Sequence, residues 1–194
     1  MSCDRFDYYG TNIDDMSRVK KSLFMFIDLF GLEKFDYNTL VRFFITVKKN
    51  YRTVAYHNWS HGFNVANCVY SMVKNAPGYF TLMESLAMFI GALCHDLDHR
   101  GFNNKFMIDI GSPLAAIYST STMENHHFNM AIIILQQENH NIFSKLTPEE
   151  YKQVLGNMKH CILATDLALF FPNKSRLADI METDSFDWDN SEHR

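Results

Sequence analysis

The 194-residue sequence predicts an all-α domain. Apolar residues recur at helical spacing, i, i+3, i+4 and i+7, through most of the chain. Glycine and proline number only 8 and 4, roughly half their usual combined share of about 12%, too few for many short strands joined by tight turns. No segment shows sustained period-two alternation.

In chain order, the first stripe is Leu40, Phe43, Phe44 and Val47. Val65, Val69 and Met72 form the second, with one place left open. Thr81-Leu-Met-Glu84 is a capping box, in which side chain and backbone of the two end residues satisfy each other, and it opens the stripe Leu82, Leu86, Phe89 and Leu93. Ser112-Pro113 opens a short helix through Tyr118. Ser121-Thr-Met-Glu124 reads as another capping box, ahead of Phe128, Ala131, Ile132 and Leu135. Thr147-Pro148-Glu149-Glu150 joins a cap, a first-position proline and a third-position Glu, and leads Tyr151, Val154, Leu155, Met158 and Ile162. Pro172-Asn173-Lys174 breaks the pattern after Phe171, and an acidic end follows with Glu182, Asp184, Asp187, Asp189 and Glu192.

Apolar residues make up 47% and charged residues 21%, which excludes a disordered tail or a polar linker. Seventeen Phe, 9 Tyr, 2 Trp and 11 Met supply volume for a large core. Eighteen Lys and Arg against 22 Asp and Glu leave a net charge of −4, so nothing general favours nucleic acid or an anionic membrane. The short run Lys48, Lys49 and Arg52 reads as a solvated helix end. Cys3, Cys68, Cys94 and Cys161 are far apart without a C-x-x-C, as in a reduced, intracellular protein. The start MSCDRFDYYG has no basic n-region or apolar h-region. The longest apolar run, Leu86 to Cys94 around Gly91, falls far short of the roughly 20 residues a span needs. The expectation is a soluble, cytoplasmic chain.

Nine histidines are many for this length. His57 and His61 lie one turn apart if their segment is helical, at the start of the helix continuing through Val65 and Val69. His95-Asp-Leu-Asp-His99 packs two carboxylates and two imidazoles into five residues at the end of an apolar helix. Imidazole with carboxylate suits Zn²⁺, Mn²⁺, Fe²⁺ or Mg²⁺, and a carboxylate can bridge two ions. Spacing alone makes both His57 and His61 ligands. Glu124 reads as a capping residue before partly buried His126 and His127. Thr165-Asp166, inside the stripe around Ile162, Leu163, Leu167 and Leu169, marks either a helix end or a polar cavity. His140, His160 and His193 show no partners.

Tyr56-His57-Asn58-Trp59-x-His61 followed by His95-Asp96-Leu97-Asp98-His99-Arg100-Gly101-x-Asn103-Asn104 closely resembles the signature of class I cyclic nucleotide phosphodiesterases. Glu124-Asn125-His126-His127-Phe128 and Ile162-Leu163-Ala164-Thr165-Asp166-Leu167 match further blocks in order. Val47-Lys48-Lys49-Asn50-Tyr51-Arg52 and Ala164-Thr165-Asp166-Leu167-Ala168-Leu169 look most like the GAF-regulated branch, cGMP-specific and dual-specificity.

The resemblance implies a multi-helix, HD-domain-like catalytic fold. It implies His61, His95 and Asp96 as ligands of a tightly held ion, usually zinc, with Asp96 bridging to a second ion, usually Mg²⁺ or Mn²⁺. His57 then matches the general acid rather than a ligand. His99, Glu124 and Thr165 match groups that hold waters of the second ion, and Tyr56, His57, Asp96 and Asn103 match the substrate side. The implied reaction is attack of an activated water on the phosphorus of cGMP or cAMP, leaving a nucleoside 5′-monophosphate. The family's domain runs on into a C-terminal helical subdomain with a fourth ligand Asp and a purine-gripping Gln, and Asp179, Asp184, Asp187 and Asp189 lie too early to match that ligand. Residues 1–14 are expected to be an N-terminal extension, and 15–194 the N-terminal and middle portion of the catalytic domain, truncated before that subdomain. The alternative is a catalytically inactive metal-binding fragment or splice form. Another HD-type metallohydrolase is opposed by the Glu124 and Thr165 blocks. The expected partner is a cyclic nucleotide, with no nucleic acid and no membrane span, and any homodimer forms through regulatory regions outside this chain.

Overall fold

The computed structural model describes residues 13–183, 186–188, 190 and 193; Cys3, Asp184, Asp189 and Glu192 lie outside the described residues, with the rest of 1–12. Helices alone make up its regular structure: α1 (Asp15–Phe30), α2 (Tyr37–Lys49), α3 (Trp59–Asn75), α4 (Leu82–Cys94), α5 (Asn104–Asp109), α6 (Pro113–Ile117), α7 (Thr122–Leu135), α8 (Pro148–Leu163) and α9 (Leu167–Glu182). The all-α expectation holds among the described residues, and no single helix is long and apolar enough to cross a membrane.

Local chemistry starts most of these helices. Asp14, Asp36 and Asn58 each accept a bond from the backbone N–H three residues on, at 2.9, 2.8 and 3.2 Å. The Thr81–Glu84 and Thr147–Glu150 capping boxes are both complete. Ser121 and Glu124, by contrast, form no box. Ser121 sits in the left-handed region (φ 44°) and makes no capping bond. Its hydroxyl donates to Asp166 Oδ2 at 2.7 Å, while Glu124 accepts from Asn104 Nδ2 at 2.8 Å. Long-range partners have taken both side chains.

The core forms around α4. Ten of its thirteen residues are buried, as expected of a helix packed by α3 and α8, with α1 and α7 also against it. Phe26 of α1 lies 4.9–6.3 Å, centroid to centroid, from Phe30, Phe35, Phe44 and Phe89. Leu40, Phe43, Phe44 and Val47 are all fully buried, as their stripe predicts. The α3 stripe is displaced: the helix buries Trp59, Phe63, Ala66 and Tyr70, leaving Val65 and Val69 at the margin and Met72 49% exposed. Its aromatic volume, not its valines, chooses the face.

At the end of the chain, Thr165-Asp166 takes the helix-end reading, and the break expected at Pro172 is corrected. α8 stops at Leu163, and Asp166 caps α9, its carboxylate accepting from Ala168 N at 3.0 Å. Helix α9 then runs through Pro172, whose fixed φ is itself helical; the cost is one backbone bond and crowding on the carbonyl four residues back. Nor is the Lys48–Arg52 run simply solvated. Lys48 pairs with Asp15 at 3.2 Å and Arg52 with Asp98 at 2.6 Å. Cys68, Cys94 and Cys161 are free thiols.

Candidate metal centre

The end of α4 and the start of α3 meet where the sequence placed its histidines. His61 lies in the first turn of α3, and His95 is the C-cap of α4. His61 Nε2, His95 Nε2 and Asp96 Oδ2 form a triangle with sides of 3.2, 3.1 and 3.3 Å. Bonds of about 2.0–2.1 Å to a tetrahedral ion put its ligands about 3.4 Å apart, so the triangle fits one cation. His95 Nδ1 faces Ala92 O at 2.7 Å, which places the proton on Nδ1 and a lone pair on Nε2. Asp96 Oδ2 is buried without a hydrogen-bond partner. A carboxylate oxygen left in that state, facing two imidazole nitrogens, is the donor set of a divalent ion.

Asp96 belongs to a second group as well, with ligating atoms of His57 and His99 mutually within 4.8 Å. His57 precedes the cap Asn58 and is therefore not on α3. The one-turn relation expected from spacing does not exist, and the His57 and His61 rings stand at 79° to each other. His57 instead stacks on His99 at 4.0 Å, and His99 on His127 at 5.4 Å. Tyr56, 65% exposed, lies against His61 at 4.6 Å.

Glu124, Thr165 and Asn103 are each engaged by neighbours of their own. Burial pushes the Glu124 carboxyl up; its Asn104 bond offsets part of this, and the charges of Asp166 and Asp96 add to it. Thr165 is exposed, its hydroxyl donating to Ile162 O at 2.7 Å. Asn103 is exposed and caps α5 by accepting from Phe106 N at 2.9 Å. His140 and His193 lie elsewhere but do have partners, Thr46 Oγ1 at 2.9 Å and Asp187 N at 3.0 Å.

Sequence patterns missed three contributors. His127 is buried, with Nδ1 2.6 Å from Leu97 O and Nε2 3.8 Å from Asp96 Oδ1. His126 Nε2 meets Asp98 Oδ2 at 2.8 Å. Tyr51 sends its hydroxyl to the end of α4. The matching block Glu124-Asn125-His126-His127-Phe128 is the signal that carries the first two.

Burial, then the neighbouring His95, pushes His61 below its ordinary value; burial, then His57, does the same to His99. Burial would raise Asp96, but in the metal-free chain a protonated His95 beside it outweighs burial and holds the carboxyl well below the usual range. His127 is pushed down to about 3, chiefly by burial. The unfolded chain protonates this ring near 6.5 and the folded chain only near 3. The unfolded state therefore binds more protons in that window, and stability falls with falling pH by about 1.4 kcal/mol per unit. The urea midpoint of the metal-free chain is expected to drop from pH 6 to pH 4, and less steeply in His127→Asn. An equal slope in both proteins contradicts that role for His127.

A sequence model of the 3′,5′-cyclic nucleotide phosphodiesterase family matches residues 56–194. The chain is 49% identical over 192 residues to "Probable 3',5'-cyclic phosphodiesterase pde-5" of Caenorhabditis elegans, covering 98% of this chain and 26% of that protein. It is 45% identical over 194 residues to "Dual 3',5'-cyclic-AMP and -GMP phosphodiesterase 11A" of Takifugu rubripes, covering 97% and 21%. To the "cGMP-specific 3',5'-cyclic phosphodiesterase" of Drosophila melanogaster it is 42% identical over 183 residues, covering 93% and 16%. The chain thus spans about a quarter or less of the length of these curated relatives.

Proposed function

The chain belongs to the 3′,5′-cyclic nucleotide phosphodiesterase family, and from that membership we propose that it hydrolyses cGMP, cAMP or both to the 5′-monophosphate, residues 15–194 contributing to the catalytic domain. The observation that carries the proposal is Asp96, one carboxylate shared by two donor groups. The two-nitrogen, one-oxygen triangle of His61, His95 and Asp96 suits Zn²⁺. A second ion, Mg²⁺ or Mn²⁺, would take Asp96 and waters held by His99, Glu124 and Thr165. When bound, the ions lower the pKa of an attacking water and offset charge developing on the phosphoryl group.

The protein's own groups do the rest. Asp96, its carboxyl held below the usual range, brings negative charge to both donor groups. His57, half-buried beside Asp96, donates the proton the departing 3′-oxygen needs. Tyr56 offers an exposed ring to the nucleotide, and Asn103, exposed as well, is assigned to the substrate by the family match. A cytoplasmic setting belongs to the same proposal.

A second reading, metal binding without turnover, is favoured by two side chains already partly engaged within the chain: the Thr165 hydroxyl donates to Ile162 O and the Asn103 amide oxygen caps α5. Phosphorus NMR separates the two. With Zn²⁺ and Mg²⁺ added, cGMP or cAMP is expected to give a 5′-phosphomonoester signal. Bound metal with neither nucleotide consumed supports the second reading and overturns the first.

A further inference from the structure

The link between α2 and α3 bonds to the ligand-bearing turn at three successive residues. Asn50 O accepts from Asp98 N at 2.9 Å. The Tyr51 hydroxyl donates to Leu93 O at 2.9 Å and accepts from Asp96 N at 3.4 Å. Arg52 Nε donates to Asp98 Oδ1 at 2.6 Å. Leu93 O belongs to the last turn of α4, where carbonyls have no partner within the helix. Asp98 has φ 58°, a left-handed conformation uncommon outside glycine though more accessible to aspartate than to most residues. Asn50 O, Arg52, His126 and, at 3.6 Å, Arg100 surround it.

Tyr51 also touches the other ligand-bearing helix. A Cβ on Gly62, the residue after His61, would lie 2.5 Å from the Tyr51 hydroxyl oxygen. The ring packs further on Trp59 of α3, centroids 5.9 Å apart. One buried hydroxyl therefore meets α3 beside His61 and the α4 end beside His95 and Asp96. It sits at the seam across which the triangle of donors is measured.

We infer that Asn50-Tyr51-Arg52 is a positioning clamp for the metal centre, with the Tyr51 hydroxyl setting the separation of His61 from the His95–Asp96 pair. None of the three belongs to either donor group; they act through the backbone of Asp96 and the αL turn at Asp98. The inference rests on the metal reading proposed above. Loss of an outer partner of this kind typically weakens metal binding 10- to 100-fold.

Co²⁺ titrated into the 194-residue chain, followed by its visible ligand-field absorption, tests the clamp. Tyr51→Phe keeps the ring packing and removes only the hydroxyl; it is expected to raise the Co²⁺ dissociation constant about 10- to 100-fold and to alter the band shape. Arg52→Gln, at a half-exposed side chain, is expected to change both in the same direction while the melting temperature hardly moves. Val154→Ala, a core change in α8, controls for general loss of stability and is expected to keep the native constant and spectrum. Native Co²⁺ affinity and spectrum in both Tyr51→Phe and Arg52→Gln overturn the clamp and leave the metal centre standing. If the native chain binds no Co²⁺, or His61→Ala binds it equally well, the metal centre itself falls and the clamp with it.

Discussion

His61→Ala is expected to strip the tight metal from the chain, while His57→Ala keeps it and loses about 10²- to 10⁴-fold in hydrolysis rate. The contrast follows from placement. His61 Nε2 is a corner of the triangle, 3.2 Å from His95 Nε2 and 3.3 Å from Asp96 Oδ2. Removing it leaves two protein donors, too few for a tightly held zinc. His57 stands outside that triangle, before the α3 cap and stacked on His99. Removing it deletes a proton donor and leaves His61, His95 and Asp96 in place. Metal content by mass spectrometry and initial rates on cGMP and cAMP measure the two effects. A phosphodiester with a p-nitrophenolate leaving group, which needs no proton, is expected to recover most of the His57→Ala loss. Equal metal loss in both variants would make His57 a ligand and overturn the assignment.

The sequence was most informative where one side chain has one task. Leu40, Phe43, Phe44 and Val47 have only to be buried, and they are. Thr81 and Thr147 have only to cap, and they do. Patterns misled where a residue serves a distant partner. Ser121 and Glu124 have capping spacing, yet Asp166 and Asn104, separated from them by 45 and 20 residues, claim them. His57 and His61 have helical spacing, but Asn58 between them is a cap, so the helix begins too late to include both. The roles of Tyr51 and His127 depend on long-range packing that no local periodicity encodes: Tyr51 reaches Leu93, and His127 reaches Leu97. The fold class was legible because helical periodicity is local, and the ligand triangle only in part because it is assembled from two elements.

Phe26→Ala is expected to be the most damaging single core change, costing about 3–5 kcal/mol. Phe26 is fully buried and its ring meets those of Phe30, Phe35, Phe44 and Phe89. It therefore joins α1 to α2 and to α4, and each edge-to-face pair adds to the transfer and cavity terms. Against a total stability of about 5–15 kcal/mol, the loss brings the chain close to unfolding at 37 °C. Phe26→Leu, which fills more of the space, is expected to cost less. Function should separate from stability here. Phe89, the α4 residue Phe26 touches, precedes His95 by six positions, about 9 Å along a helix. Perturbations at that distance without shared partners usually add independently. The urea midpoint of Phe26→Ala is thus expected to fall sharply, while the folded fraction at low temperature binds Co²⁺ with the native dissociation constant. A large shift in that constant would mean that the Phe26 cluster and the ligand triangle form one mechanical unit through α4.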